Sequence, residues 1–399
     1  MKRTNTDHHH GPEPKRYHRV DGHNTRRPHI ASTTIANHIH SDHHDYPEHN
    51  IQVTPICEAV DIVPGTDLRD TGGYVTKRHT STSTATSTSD TMLLDTNHLP
   101  DFEPTLLAQQ TPHPLDVTIV FEAVTHTYSV QYDPNEPFVS NDIISVSTLV
   151  HTHFPKFEPD EILRRMRRRR NWIQSPYYTM TDDAIKRYWE KLGRDASTRG
   201  THLHFLLECH LNGYPLLVQS PYLELNEIQA YRRWYTTHFD GKGLIPFRTE
   251  FRMRSNADLK ITGTADLLAI AHDHAAPSKT NNVLTLHMID WKFSKDIKTR
   301  NPYETGYGPC HGLDNCNYNH YMLQQNIYTW LLETFYSHWT WRGHLYNTVK
   351  VETMHLAVFH PNHNPHGYVY IPLPRRHDLV SAVIDTRRQY LTPNISLIS

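Results

Sequence analysis

The chain has 399 residues, with 40 Lys and Arg, 42 Asp and Glu, 33 His and a formal net charge of -2 at pH 7. A charge this close to zero excludes a uniformly basic chain, so any basic surface must come from a local cluster. No stretch approaches the roughly 18 to 20 apolar residues of a membrane span, and the N-terminus lacks the apolar centre of a secretory signal. We therefore expect a soluble intracellular protein of the nucleus or cytoplasm, neither secreted nor bound to a membrane.

Residues 1–114 differ in composition from the rest of the chain. They are crowded with His, Thr, Ser, Asn, Asp and Pro, and the run from Thr80 to Ser89 is almost entirely Ser and Thr. Such a segment buries too little apolar surface to offset the entropy that it loses on ordering. The sequence therefore predicts a disordered His/Ser/Thr-rich tail over 1–114 and one folded domain over 115–399.

Residues 115–195 are expected to form a strand-rich opening followed by basic helices. Runs rich in β-branched and aromatic residues predict strands at 117–121, 127–132 and 143–150. Two helices are predicted next, at 159–171 and 181–193. The first carries six arginines within 164–170. For the second, Thr181 is the expected N-cap and Gly193 the expected end.

Residues 196–372 are expected to form the core, followed by a C-terminal helix within 373–399. A helix at 195–213 is predicted to bury its leucines and to present His204 and Glu208, four residues apart, on its other face. Further helices are expected from Ser220 and at about 319–337. The predicted strands are 246–255, 259–271, 283–293, 349–359 and 367–372. This order of elements predicts an α/β fold with a mixed sheet between helical layers.

Three charged residues lie on two of these strands. Asp290 and Lys292 project to the same side of their strand because side chains alternate. Asp266 can meet Asp290 if the two strands are neighbours. Two converging carboxylates repel each other unless a cation joins them, and hard oxygen ligands suit Mg²⁺ or Mn²⁺. A lysine beside them is suited to position or deprotonate an attacking water.

The order of the surrounding residues resembles the RecB-like branch of the PD-(D/E)XK nucleases, which includes CRISPR-associated and mitochondrial genome maintenance exonucleases. That branch carries the motifs G-x-x-x-H-x-x-x-E, G-x-x-D, D-x-K and Q-x-x-x-Y. The matching residues, in the same order, are Gly200, His204, Glu208, Gly263, Asp266, Asp290, Lys292, Gln324 and Tyr328. The chain also looks like nucleases of large DNA viruses and mobile elements, and the resemblance covers about 117–372.

The resemblance implies a PD-(D/E)XK core and a metal site. Its ligands would be His204, Asp266, Asp290 and the backbone carbonyl of Trp291, with Mg²⁺ or Mn²⁺ as the cofactor. Lys292 would serve the attacking water and the charge of the transition state.

Other positions are given supporting roles by the same resemblance. Glu208 and Glu250 would hold water or orient His204. Gln324 and Tyr328 would brace the site or touch DNA, although a tyrosine in a helix of this kind is also typical of a packed core.

The cysteines argue against an iron–sulfur cluster. Iron–sulfur members of the branch use four cysteines, whereas only Cys209, Cys310 and Cys316 lie in the predicted domain. No cluster is therefore expected. Cys310, His311, Cys316 and His320 leave a structural zinc site open beside a plain loop, but their spacing fits no standard pattern.

The arginine block suggests a surface for nucleic acid. Arg167, Arg168, Arg169 and Arg170 could contact phosphates while nearby aromatic rings stack on bases. The aromatic candidates are Trp172, Tyr177, Tyr178 and Trp189. A solvated basic helix and a nuclear localisation signal are the alternatives.

The function expected from these patterns is Mg²⁺-dependent hydrolysis of phosphodiester bonds in DNA. The enzyme would be exonuclease-like, act on single strands or duplex ends, and serve replication, recombination or repair. A non-catalytic DNA-binding module that keeps the nuclease fold is one alternative. A nuclease that acts on RNA is the other.

Overall fold

The structure of the protein is a computed structural model that describes residues 105–123, 125–214, 222–272 and 282–392. All of them belong to one unit, Gln52–Ser399. The predicted tail up to residue 104, the helix start predicted at Ser220 and most of the loop predicted between the strands at 259–271 and 283–293 lie outside the described residues. Within the described ranges, no helix has the length and hydrophobicity needed to cross a membrane.

The described residues form helices and strands in alternating blocks. The helices are α1 (Leu106–Gln110), α2 (Val146–His151), α3 (Pro159–Arg167), α4 (Asp182–Leu211), α5 (Asn226–Trp234), α6 (Asn317–Phe335) and α7 (His377–Leu391). The strands are β1 (Ile119–Glu122), β2 (Thr127–Val130), β3 (Ile144–Ser145), β4 (Leu244–Arg254), β5 (Ile261–Ala271), β6 (Val283–Lys292), β7 (Trp339–Trp341), β8 (His344–Tyr346), β9 (Thr348–Phe359) and β10 (Tyr368–Pro372). The fold is therefore α/β.

A six-stranded mixed sheet is the centre of the fold. Its order is β10-β9-β6-β5-β3, and β4 pairs with β5 along the other edge of that strand. The β6–β9 and β3–β5 pairs are parallel, and the remaining pairs are antiparallel. Strand β5 is buried at nearly every position, which is typical of a strand covered on both faces.

Two hydrophobic cores cover the two faces of the sheet. One core packs α4 and α5 against the sheet through Leu203, Trp234 and Trp291. The other packs α2, α6 and α7 against the opposite face, with Ile327 and Val383 among its buried residues. The predicted mixed sheet flanked by helices is confirmed.

The predicted strand at 143–150 is wrong over most of its length. Strand β3 covers only two residues, and α2 begins at Val146. The Ser145 side chain accepts a hydrogen bond from the Thr148 N–H at 3.0 Å and caps the helix. Val146, Leu149 and Val150 are all buried, and their spacing is that of a helix face, which outweighs the β propensity of the valines.

The predicted end of a helix at Gly193 is also wrong. The helices expected at 181–193 and 195–213 are one helix of 30 residues, α4. The Thr181 N-cap is confirmed, since its side chain accepts from the Ala184 N–H at 3.2 Å. A glycine within a helix costs only about 1 kcal/mol, which the packing of a long helix offsets.

The predicted disorder of residues 105–114 is contradicted by their packing. Leu107 is buried, and its N–H donates to Asn212 Oδ1 at 2.9 Å. The Thr111 carbonyl accepts from Arg248 at 2.9 Å and from the Trp339 indole at 3.0 Å. These partners lie more than 100 residues away in the chain, so composition within the segment could not indicate them.

Candidate active site

The site lies where β5 loses its strand partner. Strand β4 runs along one edge of β5, and in the described residues the other edge pairs with β6 over Leu267–Ala269 and with β3 over Ile261–Thr262. Among the described residues, no strand lies beside 263–266 on this edge. The registers place Asp290 of β6 and Glu250 of β4 on either side of Asp266, which brings three carboxylates to one level of the sheet.

The Asp266 side chain accepts a hydrogen bond from the backbone of β6 at the point where the pairing of β5 with β6 ends. Its Oδ2 accepts a hydrogen bond from the Trp291 backbone N–H at 2.8 Å. The same oxygen lies 3.8 Å from His204 Nε2 and 3.9 Å from Lys292 Nζ. Burial raises the pKa of the Asp266 carboxyl, and the positive charges of His204 and Lys292 act against that rise.

His204 reaches the same place from α4. Its Nε2 is 3.1 Å from the Trp291 carbonyl oxygen, and its Nδ1 is 3.2 Å from Glu250 Oε1. Burial lowers the pKa of His204, but the Asp266 and Glu250 carboxylates outweigh this effect and raise it to about 9. Both ring nitrogens face oxygen atoms, an arrangement that the protonated ring satisfies by donating from both.

Asp290 and Lys292 form a close ion pair on the same side of β6. Lys292 Nζ lies 2.5 Å from Asp290 Oδ2 and donates to the Trp291 carbonyl oxygen at 3.1 Å. Burial raises the pKa of Asp290 to about 7, although Lys292 favours the charged form. The buried Asp290 carboxyl therefore holds a proton more readily than an exposed aspartate does, a shift that is common at functional sites.

The backbone at Glu250 is unusual for a residue inside a strand. Its φ is 42°, a left-handed value for a residue other than glycine. Such a conformation costs on the order of 1–3 kcal/mol and persists only where surrounding contacts impose it. Here it accompanies the contact of the Glu250 carboxylate with His204.

One group of these side chains could hold a metal ion. One ligand atom from each of His204, Glu250 and Asp266 lies within 4.8 Å of the others. The Trp291 carbonyl oxygen adds a fourth donor beside His204. The donors are mostly carboxylate and carbonyl oxygens with one imidazole, so this triad could hold a metal ion. Asp290 is not part of this group. It pairs with Lys292 and accepts a hydrogen bond from Gln325 of α6.

The remaining motif residues have different surroundings. Glu208 is half-buried on α4, one turn after His204, and does not belong to the His204–Glu250–Asp266 group. Gln324 donates to the Tyr328 hydroxyl at 2.9 Å. The Tyr328 ring is buried against β5, where a Cβ on Gly263 would lie 2.4 Å from its Cε1 atom. Gly263 is therefore needed so that this ring can approach the strand.

Sequence reasoning missed Gln325. This residue is fully buried on α6, and its Nε2 donates to Asp290 Oδ1 at 2.7 Å. Tyr321, four residues earlier, packs its ring centroid 5.0 Å from Lys292 Nζ. Gln325 lies one helical turn after Tyr321, and this spacing was the available signal in the sequence. The family motif, in contrast, matches the neighbouring Gln324.

The arginine block is only partly available to a ligand. Arg164 pairs with Glu161 at 2.5 Å, Arg165 with Glu304 at 2.7 Å, and Arg167 with Asp182. The helix that carries them ends at Arg167, earlier than the predicted 171. Arg168 and Arg170 are exposed, and neither has a carboxylate partner among the described residues.

Two of the aromatic candidates cannot stack on bases. Tyr177 and Trp189 are buried in a small core with Leu163 and Ile185 between α3 and α4. The prediction that these two rings stack on bases is wrong, because a ring inside a core has no face exposed to a ligand. Trp172 is half-buried beneath Arg167, while Tyr178 remains exposed.

The predicted zinc alternative finds no support in the loop before α6. Cys310 and Cys316 are buried, but among the described residues they do not join any group of metal ligands. His320 instead contacts Asn315 Oδ1 at 2.9 Å, and burial lowers its pKa to about 3. A half-buried histidine with an amide partner and a lowered pKa is a packing residue.

Comparison with known proteins identifies no family. No family model matches the chain, and no curated protein matches it. A solved structure described as "Crystal structure of SSO0001" is 13% identical, with a TM-score of 0.27 over 64% of this chain and 79% of that chain. A likeness this low supports no conclusion about function.

Proposed function

We propose that the protein is a metal-dependent deoxyribonuclease of the PD-(D/E)XK superfamily, in its RecB-like branch. One observation carries the proposal: Asp266, Asp290 and Lys292 converge at the gap beside β5. His204 joins them from α4. These residues also match the family motifs in order, and an α/β fold with a mixed sheet between helices is compatible with a PD-(D/E)XK core.

The donor atoms favour Mg²⁺ or Mn²⁺ as the cofactor. His204, once its Nε2 has lost its proton, would hold the ion together with Glu250, Asp266 and the Trp291 carbonyl. Lys292 lies between this group and Asp290. When bound, the ion would act as a Lewis acid on a phosphoryl oxygen and would lower the pKa of water. A site built mainly of carboxylate and carbonyl oxygens suits these two hard cations.

The protein's own groups supply the remaining chemistry. Lys292 carries its positive charge between Asp266 and Asp290, where it can orient an attacking water and stabilise negative charge on phosphate in the transition state. Glu250 holds the His204 ring in place by accepting from Nδ1. Gln325 fixes Asp290 from α6.

A cleavage assay tests this function. The full chain is incubated with labelled single-stranded DNA, duplex DNA and RNA in Mg²⁺, Mn²⁺ or EDTA. We expect cleavage of DNA that requires the metal. Asp290→Ala and Lys292→Ala should each reduce it by about 100-fold or more, as loss of a group that stabilises a transition state does. Asp385→Ala, an exposed acidic residue on α7, serves as the control and should keep full activity.

The outcomes separate the three candidate functions. Cleavage that survives both substitutions would contradict the assigned site. Metal-dependent cleavage of RNA alone would move the substrate from DNA to RNA. Binding of DNA without cleavage in either metal would replace the enzyme with a non-catalytic module.

A further inference from the structure

Three tyrosines with exposed rings lie on two segments that contact each other through the Arg165–Glu304 ion pair and through Arg169 and Tyr303. Tyr303 is 66% exposed and Tyr307 is 56% exposed, and both lie in the loop between β6 and α6. Tyr178 is 47% exposed, and its ring lies edge-on to Trp172 at 6.4 Å between centroids. Exposed rings that recur in one region, rather than singly, are typical of a surface that a partner covers.

Three consecutive arginines follow α3, and one of them contacts an exposed ring. The Arg169 guanidinium lies 5.4 Å from the centroid of the Tyr303 ring. Arg168 and Arg170 flank it in the chain, and in the part that the structure describes neither has an ion-pair partner. This local charge favours a polyanion, and the rings favour a ligand with flat apolar faces.

The surface rests on a fixed scaffold. The small core between α3 and α4 holds the segment that carries the arginines. The Arg165–Glu304 ion pair, at 2.7 Å, joins that segment to the loop that carries Tyr303 and Tyr307. Glu304 also accepts a hydrogen bond from Asn315 Nδ2 at 2.9 Å. The same carboxylate therefore contacts α3 through Arg165 and the end of the loop before α6 through Asn315.

The loop is anchored to both elements that hold Asp290. It follows Lys292 at the end of β6, and it leads into α6, which carries Gln325. The Lys298 N–H donates to Asn317 Oδ1 at 2.8 Å, which closes the base of the loop. A ligand on this surface is therefore bound by segments continuous with the candidate active site.

We propose that Arg168, Arg170, Tyr178, Tyr303 and Tyr307 form a binding surface for an unpaired stretch of nucleic acid. The tyrosine rings would stack on bases, and the arginines would contact phosphates. Every base has a flat face, but only an unpaired strand exposes those faces, since a duplex buries them in its stack. The inference rests on the proposed function, because it names the form of nucleic acid that reaches the site, but binding alone tests it.

Equilibrium binding in EDTA separates binding from cleavage. Fluorescence anisotropy with the full chain compares a labelled 20-nucleotide single strand of DNA, the same strand as RNA, a blunt duplex and a polyglutamate peptide. We expect the unpaired strands to bind more tightly than the duplex and the peptide. Tyr303→Ala and Tyr307→Ala should each weaken single-strand binding about 5- to 100-fold. Tyr303→Trp should retain it.

Salt dependence tests the arginines. The Arg168→Ser/Arg170→Ser double variant should reduce the slope of log affinity against log salt by about 1.4, since each phosphate contact to a single strand contributes about 0.7. Arg164→Ser is the matched control, because Arg164 already pairs with Glu161. Tyr390→Ala controls for loss of an exposed ring, since Tyr390 is 75% exposed on α7.

The results distinguish failure of the surface from failure of the nuclease function. If the protein cleaves nucleic acid but the tyrosine and arginine variants bind like wild type, the surface is rejected and the nuclease function is retained. If nucleic acid binds through these residues but is not cleaved, the nuclease function is rejected and the surface is retained. Tighter binding of duplex, or equal binding of polyglutamate, would also reject the surface.

Discussion

Asp290 shows how single residues define the chemistry of the site. One of its oxygens lies 2.5 Å from Lys292 Nζ, and the other accepts from Gln325 at 2.7 Å. Burial disfavours the charged carboxylate and raises the pKa of Asp290 to about 7, whereas both partners favour the charge. The neighbouring Gln324 takes no part, because its side chain turns to Tyr328.

Replacing Gln325 and Gln324 in turn tests which glutamine supports the site. Gln325→Ala removes a hydrogen bond to the Asp290 carboxylate, so the pKa of Asp290 should rise further and the acidic limb of the pH–rate profile should move to higher pH. We expect activity near pH 7 to fall about 10-fold, the equivalent of about 1.4 kcal/mol. Gln324→Ala should leave the acidic limb where it is.

The pH–rate profile is the decisive measurement for this pair. A purely structural loss would lower activity equally at all pH values, whereas loss of support for Asp290 changes the pH at which activity appears. Equal shifts in the two variants would contradict the assignment of Gln325 as the positioning residue.

At the scale of elements, the contact between α6 and β5 places the site. Tyr328 packs onto the backbone of β5 at Gly263, beside the edge where β5 has no strand partner in the part of the chain that the structure describes. A Cβ on Gly263 would also lie 3.2 Å from Val146 Cγ2 of α2. The strand is therefore enclosed at this point by two helices, and any added atom must displace one of them.

Gly263→Ala should destabilise the protein. The added methyl would overlap the Tyr328 ring, and overpacking of this kind costs about 1–3 kcal/mol. Thermal unfolding in EDTA should show a melting temperature lower by several degrees. Tyr328→Leu should restore part of the loss in the double variant, because a leucine leaves room beside the strand.

Gly200 provides the matched control for this substitution. It is the other motif glycine, it lies within α4, and an added Cβ would meet no atom within 4 Å. Gly200→Ala should therefore raise stability by about 0.5–1 kcal/mol, the usual gain of alanine over glycine in a helix. A stabilising effect of Gly263→Ala would contradict the packing described for Tyr328.

At the scale of the whole molecule, residues 105–118 bind together distant parts of the fold. Leu107 contacts the end of α4 through Asn212, and Thr111 contacts Trp339 near the end of α6. Arg248 of β4 donates to Asp116 at 3.0 Å and to the Thr111 carbonyl. The segment thus braces β4, the strand that carries Glu250.

Two truncated chains test this role. A chain that starts at residue 105 should melt at nearly the temperature of the full chain, given the predicted disorder of the tail. A chain that starts at residue 115 should lose about 2–4 kcal/mol of stability, because one buried leucine and several buried hydrogen bonds are removed. Differential scanning calorimetry of both should show this difference as several degrees. Identical melting temperatures would show that 105–114 adds nothing to the fold.

Much of the fold was predictable because the relevant signals are local. The strands β4, β5, β6 and β9 and the helix α6 were predicted within about two residues of their observed bounds. Long apolar runs and helical spacing of buried residues indicate such elements directly. The prediction failed at Val146 because the β propensity of the valines competed with the helical spacing of the buried residues. It failed at Gly193 because packing of the long helix outweighed the helix-breaking tendency of glycine.

The sequence by itself determined which residue types could form the site: strand alternation selects Asp266, Asp290 and Lys292, and the resemblance to the nuclease motifs adds His204. Only the tertiary structure decided their surroundings: the gap beside β5, the left-handed Glu250, the buried Gln325 and the packing of Tyr328 on Gly263. The physical reason is the distance along the chain between the residues that interact. Alternation along a strand depends on neighbours in the chain, whereas burial, strand divergence and cross-sheet contacts depend on residues tens to hundreds of positions away.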